Sequence, residues 1–357
     1  MRFVVLPGDG IGPEISEATV RVLGVLNRAL SLGIAFETHE IGFASLARHG
    51  TTFPDGVLDA ARAADGILLG PVSHLDYPSR ERGGINPSGH LRVQLDLYAN
   101  IRPCRSREGI PYYGRTPMDL VIVRENTEGF YADRTMFMGT GEFMPTPDVA
   151  IAMRKVTAKG SRRIAEAAFR LARTRPRRKV TYVHKANVLK ISDALFLKEC
   201  RAAAEEYPDI ATDDGIIDSM TAMLVRDARR YDVIVTTNMF GDILSDLASE
   251  LSGSLGLGGS INAGDAHCMA QAQHGSAPDI QGQDKANPCS LVLSAAMLLD
   301  WLATRRDLPG FRRGAEAING AVDELVKRPE TRTRDLGGDL GTRAFTDALC
   351  AEIERRL

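Results

Sequence analysis

Short β-branched runs alternate along this chain with longer stretches of helical periodicity, and that alternation confines it to the α/β folds. The strand candidates are 3–6, 66–69, 119–123, 179–184 and 232–236. Helical patterns cover 14–29, 159–172, 192–206, 219–229, 291–304 and 312–327. Turn-forming segments such as PGDGIGP, GGINPSG, PYYGRTP and GSLGLGGSINAGD separate them. At 357 residues there is room for two domains. No internal repeat stands out, and composition alone marks no seam.

Charge and cysteine use narrow the function classes. A net charge of −2 argues against a general polyanion binder, which needs clustered excess cation. Arg170, Arg173, Arg175, Arg177, Arg178 and Lys179 do cluster where a helical pattern breaks at Pro176. They read as a solvated helix end rather than a nucleic-acid patch. The five cysteines are odd in number and contain no CxxC pair, which suits reduced thiols rather than a disulfide framework or a zinc site. The first residues, MRFVVLPGDG, enter a strand at once, and their apolar run is too short for a signal segment. The most apolar late stretch, 291–303, contains Ser294 and Asp300 and is too short to cross a bilayer. The expectation is a soluble, cytoplasmic protein with no membrane or nucleic-acid partner.

The turn Gly8-Asp9-Gly10-Ile11-Gly12 imitates a dinucleotide fingerprint. Its spacing is GxGxG, one residue short of the phosphate-cradling form, and Pro13 and Glu14 follow. Pro and Glu are good helix starters, and Glu opposes a phosphate at that helix end. A tight strand-to-helix turn beside a site is the better reading.

Several charged residues sit in apolar surroundings. Arg92 and Arg102 lie in LRVQLDLYANIRPCR, and Arg124 lies in LVIVRENTEGFY. Arginine is costly to bury without an anion, and its planar fork suits carboxylates. Three of them could neutralise a small di- or tricarboxylate, or each could pair with a protein carboxylate such as Glu125 or Asp96. In IVTTNMFGDILSDLASE, Asp242 and Asp246 share one helix face, where like charges repel unless a cation lies between them. Oxygen-only ligands select Mg²⁺ or Mn²⁺, although acids at a helix start are also common. Asp218, in DGIIDSMTAMLV, is a third carboxylate that could equally be a helix cap. Lys185 ends a strand in VTYVHKANVLK and could serve as a base beside a cation. Tyr131 follows Arg124 in RENTEGFY and could donate a proton.

Taken in order, LPGDGIGPE, LRVQLDLYANIRP, VRENTEGFY, HKANVLK, VTTNMFGDILSDLASE and HGSAPDIQGQDKANP resemble the β-decarboxylating dehydrogenases that act on isopropylmalate, isocitrate, homoisocitrate and tartrate or malate. The match covers nearly the whole chain. The resemblance implies an α/β two-domain fold that is not a Rossmann fold. One domain is discontinuous, 1–101 plus 253–357, and lies on the cofactor side; the other, 102–252, carries the dimer contacts. It implies a homodimer with shared active sites, in which Lys185, Asn187 and Asp218 of one subunit complete the site of the other. It places Arg92, Arg102 and Arg124 on the malate carboxylates and Mg²⁺ or Mn²⁺ on Asp218, Asp242 and Asp246. Lys185 becomes the base and Tyr131 the acid. Asn187, His274, Gly275, Ser276, Ala277, Pro278, Asp279, Ile280 and Asn287 fall on the cofactor. Asp279 occupies the position where NADP-using relatives carry lysine. A carboxylate accepts bonds from a free ribose diol and repels a 2′-phosphate, which favours NAD.

The resemblance departs at Asn86-Pro87-Ser88-Gly89-His90, where substrate choice is set. Isopropylmalate enzymes usually place leucines at the positions of Ser88 and Gly89. Isocitrate enzymes usually place Ser at Asn86 and Asn at Ser88, the reverse of this chain. Gln281 and Asp284–Lys285 also depart from the usual small-residue cofactor loop. Isopropylmalate oxidation is the leading expectation, with isocitrate, homoisocitrate, tartrate or D-malate oxidation as alternatives; Ser88 points toward a polar substituent. A nucleic-acid module requires a basic, aromatic surface, and aromatic content is 6%. A catalytically dead relative would lack Tyr131, Lys185 or an aspartate, and all are present.

Overall fold

The computed structural model describes residues 1–131, 136 and 141–357. The chain begins with β1 (Arg2–Leu6), α1 (Gly12–Ala29), β2 (Ala35–Thr38), α2 (Gly42–His49), α3 (Asp55–Ala63), β3 (Gly66–Leu69) and α4 (Pro87–Gln94). There follow β4 (Ala99–Arg105), β5 (Asp119–Glu125), β6 (Glu142–Thr146), β7 (Val149–Ala152), α5 (Ala158–Ala172), β8 (Lys179–His184), α6 (Ser192–Ala204), β9 (Ala211–Ile216), α7 (Ile217–Asp227), β10 (Val233–Thr236) and α8 (Asn238–Ser252). The last elements are β11 (Ile261–Ala263), β12 (Cys268–Gln271), α9 (Cys289–Arg306), α10 (Pro309–Val326) and α11 (Thr342–Arg356).

These elements form two compact units. The first comprises Met1–Leu95, Arg107–Pro111 and Ser254–Leu357; the second comprises Asp96–Ser106 and Tyr112–Gly253. In the first unit the strands run β2-β1-β3-β12-β11, parallel except for β11 against β12. The four residues of β3, GILL, are all buried. Helix α9 buries Leu291, Val292, Ala295, Leu298, Leu299 and Leu302. That near-continuous apolar surface is what a helix enclosed by its neighbours requires.

In the second unit the order is β4-β5-β10-β8-β9, with β4 antiparallel to β5 and the other pairs parallel. Strand alternation divides β10 between two cores. Val233 and Val235 join Ile164, Ala168 and Phe169 of α5, while Ile234 joins Leu224 of α7 and Leu244 and Ala248 of α8. Helices therefore cover both faces, as parallel strands require. The hairpin β6–β7 differs: every residue in it is exposed.

Among the described residues no helix is long and apolar enough to cross a membrane. The basic run near Pro176 is neutralised locally. Arg173 pairs with Asp209, Arg175 with Asp119 and Asp232, and Lys179 with Asp213. All five cysteines are free, and Cys104, Cys200, Cys268 and Cys289 are buried. Burial pushes their thiols up, Cys104 to about 12.

Candidate active site

In the second unit, β4 and β5 are neighbours, and α8 starts directly after β10. Gly241 lets the helix approach closely: a Cβ there would lie 2.6 Å from Cβ and Cγ of Arg124. Arg124 donates from Nε and Nη2 to Asn238 Oδ1, at 3.1 and 2.7 Å, and from Nη1 to Asp242. Arg102 donates from Nη1 to Ser245 Oγ at 2.7 Å and to Asp246 Oδ1 at 3.0 Å. Both guanidinium groups are buried, whereas the Asp242 and Asp246 side chains are 37% and 57% exposed. Burial and the neighbouring Arg102 charge pull Arg124 down to about 10, so it remains a cation at neutral pH. Its guanidinium carbon lies 5.8 Å from the Tyr131 ring centroid. The structure thus brings together Arg102, Arg124, Asp242, Asp246 and Tyr131. Two buried cations face two accessible carboxylates, an arrangement able to hold an anion and a hard cation side by side. Glu125 and Asp96 are engaged elsewhere, Glu125 with Thr127 and the Glu128 amide, Asp96 with Arg163.

Lys185 follows the buried end of β8 and pairs through Nζ with Asp218 in the first turn of α7. That hydrogen bond holds the Asp218 carboxyl below its usual range. Asn187 and Val188 are exposed in the following turn. Among the described residues no three His, Cys, Asp or Glu side chains converge as a complete ligand set. Asp218 stays with Lys185 and does not join Asp242 and Asp246 within one chain.

In the first unit, Asn86 caps α4 by accepting the Gly89 N–H at 3.1 Å, and Pro87 fills the first helical turn. Buried Ser88 donates to Gln271 Oε1 at 3.0 Å. The same oxygen accepts Arg92 Nη2 and Asn262 Nδ2, each at 3.2 Å. The segment 274–280 rests on the glycine turn. Ile11 N–H reaches Ser276 O at 2.8 Å, and a Cβ on Gly10, whose φ is +56°, would lie 2.0 Å from that oxygen. Gly10 is therefore required for close approach to this segment. Ser276 Oγ meets Ser73 Oγ at 2.7 Å. Ala277 has φ +38°, a strained value for a residue with a side chain. Burial pushes His274 below the usual histidine range. Gly275, Pro278 and Asp279 are exposed, and Ile280 packs with Ile11 and Ile15. Asn287 is buried, donating to Asp335 Oδ2 and accepting the Cys289 N–H, both at 2.9 Å.

Three participants escaped sequence reasoning. Gln271 was hidden because its partners lie 183 and 179 residues away. Asp9 was visible only as part of a turn, yet it accepts the Phe43 and Ser73 amides and the Tyr77 hydroxyl. Asp193, which accepts the Lys185 backbone N–H at 2.6 Å, resembles an ordinary acid in a first helical turn.

Comparison with known proteins gives this arrangement a family. A family model described as isocitrate/isopropylmalate dehydrogenase matches residues 2–349. Isocitrate/homoisocitrate dehydrogenase of Thermus thermophilus is 42% identical over 355 residues, 99% of this chain and 98% of that protein. The 3-isopropylmalate dehydrogenase of Archaeoglobus fulgidus is 38% identical over 355 residues, 99% of each. The crystal structure of isocitrate dehydrogenase from Methylococcus capsulatus matches with a TM-score of 0.86 and 38% identity, covering 99% of each chain. The chain belongs to the isocitrate/isopropylmalate dehydrogenase family. It is a β-decarboxylating dehydrogenase acting on the CH–OH group of a 2-hydroxy acid, and its α/β two-domain fold is that of the family, not a Rossmann fold.

Proposed function

We propose that this enzyme oxidises and decarboxylates a 3-substituted malate bearing a polar or charged substituent, of the isocitrate or homoisocitrate type, using NAD and Mg²⁺ or Mn²⁺. The observation that carries the substrate class is the cluster of buried Ser88 with half-buried Gln271 and Arg92. A polar lining favours a substituent that can exchange hydrogen bonds with it, because an apolar one gains no such pairing. Exposed Val188, 64% accessible, supports isopropylmalate as a second reading if a partner subunit supplies it as an apolar wall.

Arg92, Arg102 and Arg124 bind the substrate carboxylates. Asp242 and Asp246, with Asp218 of a second copy, offer the oxygen-only donor set of a hard divalent cation. When bound, that cation supplies Lewis-acid stabilisation of negative charge on the 2-oxygen. Lys185 takes the 2-hydroxyl proton, directly or through water, and a nicotinamide held on the cofactor side would accept the hydride from C2. The C3–carboxylate bond of the resulting β-keto acid then breaks and CO₂ departs. Tyr131 protonates C3 of the enol that remains. The discontinuous domain provides the cofactor side through Asn287 and segment 274–280, joined by Asn187.

A homodimer fits the remaining observations. Isolated two-stranded hairpins are marginal in water, yet β6–β7 is wholly exposed and carries accessible Phe143, Met144, Val149 and Ile151. A second copy is the partner that would cover it and deliver Lys185, Asn187 and Asp218.

The test is a panel of isocitrate, homoisocitrate, 3-isopropylmalate, D-malate and tartrate, with NAD reduction followed by absorbance. Ser88→Leu is expected to cut kcat/KM for isocitrate or homoisocitrate by about tenfold or more while raising the preference for isopropylmalate. Wild-type preference for isopropylmalate, damaged by Ser88→Leu, would reverse the substrate assignment.

Cofactor choice makes a separate expectation. Asp279 is exposed. kcat/KM with NAD should exceed that with NADP by about tenfold or more, the scale of one adverse charge contact. Asp279→Lys should narrow the gap, and equal use of both cofactors by wild type defeats the assignment.

A further inference from the structure

Asp193 is fully buried in the first turn of α6, at 0% exposure. A carboxylate so placed needs partners on both oxygens. Its Oδ2 accepts the backbone N–H of Lys185 at 2.6 Å, and its Oδ1 is ion-paired with Arg154. The Arg154 side chain is largely shielded, at 8% exposure. It donates to Ser192 Oγ at 3.0 Å and to Thr237 Oγ1 at 2.8 Å, and it lies 5.3 Å from the Phe240 ring centroid. Thr237 is the N-cap residue of α8, the helix that carries Asp242 and Asp246. The next amide is held too: His184 Nδ1 accepts the Ala186 N–H at 3.0 Å, leaving Nε2 to face Asp214 Oδ2 at 3.2 Å. Successive amides at 185 and 186 are thus gripped by side chains.

We propose that Asp193 and Arg154 are positioning residues that fix the Lys185 backbone against the start of α8 and so set where its amine works. The inference rests on Lys185 being the base. A buried ion pair adds little net stability over apolar residues of similar volume, so retaining one here suits a geometric task. A misplacement of about 1 Å at a catalytic group can cost about a hundredfold in rate.

The test uses Arg154→Met/Asp193→Leu, which removes both charges at similar volume. The variant should still unfold cooperatively and keep KM within about threefold, while kcat falls about tenfold or more. On a Lys185→Ala background the same pair of changes should leave the residual rate within about threefold, because its effect passes through Lys185. Asp193→Asn keeps an acceptor for the Lys185 amide and should retain more kcat than Asp193→Leu. Wild-type kcat in the folded double variant, a further large drop on the Lys185→Ala background, or equal kcat in Asp193→Asn and Asp193→Leu overturns the proposal. Wild-type turnover by Lys185→Ala instead overturns the base assignment, and this inference with it.

Discussion

Incubation with EDTA is expected to abolish turnover, by about a hundredfold or more, and added Mg²⁺ or Mn²⁺ should restore it. The reason lies in the composition of the site. Asp242 and Asp246 are accessible, one helical turn apart, and offer oxygen alone. In the chain by itself they pair with Arg102 and Arg124. A divalent cation held there would compete for those carboxylates and free guanidinium donors for an anionic substrate. Cation and substrate should therefore bind cooperatively, each lowering the concentration needed of the other. Asp246→Asn should raise the half-saturating Mg²⁺ concentration while the circular dichroism spectrum stays unchanged. Full turnover in metal-free buffer would refute the metal assignment.

The second large effect concerns sharing between subunits. Lys185→Ala and Arg124→Ala should each be inactive as homodimers. Mixed under conditions of subunit exchange, they should recover about a quarter of wild-type activity, since half the dimers are mixed and each of those has one intact site. The expectation follows from where the charged groups lie. Lys185 and Asp218 form one pair, Arg124 and Asp242 another, and no complete ligand set forms among the described residues of one chain. Absence of recovery, with exchange verified by mass spectrometry, would place all these groups in one subunit's site.

The legible parts of the fold were those whose local pattern and tertiary role agree. The apolar runs of β3 and β8 were read with the bounds the structure shows, Gly66–Leu69 and Lys179–His184. Helices α1, α5, α6, α7, α9 and α10 appear within a few residues of their periodic patterns. What escaped was held by partners distant in sequence. Strand β4 contains Pro103 and two arginines, Arg102 and Arg105, and acquires its extended form by pairing with β5. Strand β9, ATDDGI, lies at the end of its strand order and carries Asp213 and Asp214 against β8. Helix α11 is polar along much of its length and buries Phe345, Leu349 and Ile353 on one side. At the site, the carboxylate pair on α8 was visible as a helical spacing. The clamp of Arg154 on Asp193 was not, because 39 residues separate them.

The buried thiols have a consequence for measurement. Alkylating reagents attack the thiolate, and burial keeps Cys104 and Cys200 in one unit, and Cys268 and Cys289 in the other, both hidden and protonated. A reagent reaches each pair only when its own unit opens. The chain thus carries two built-in clocks, one per unit, whose labelling rates, read apart from that of half-exposed Cys350, separate local breathing from global unfolding without any engineered thiol.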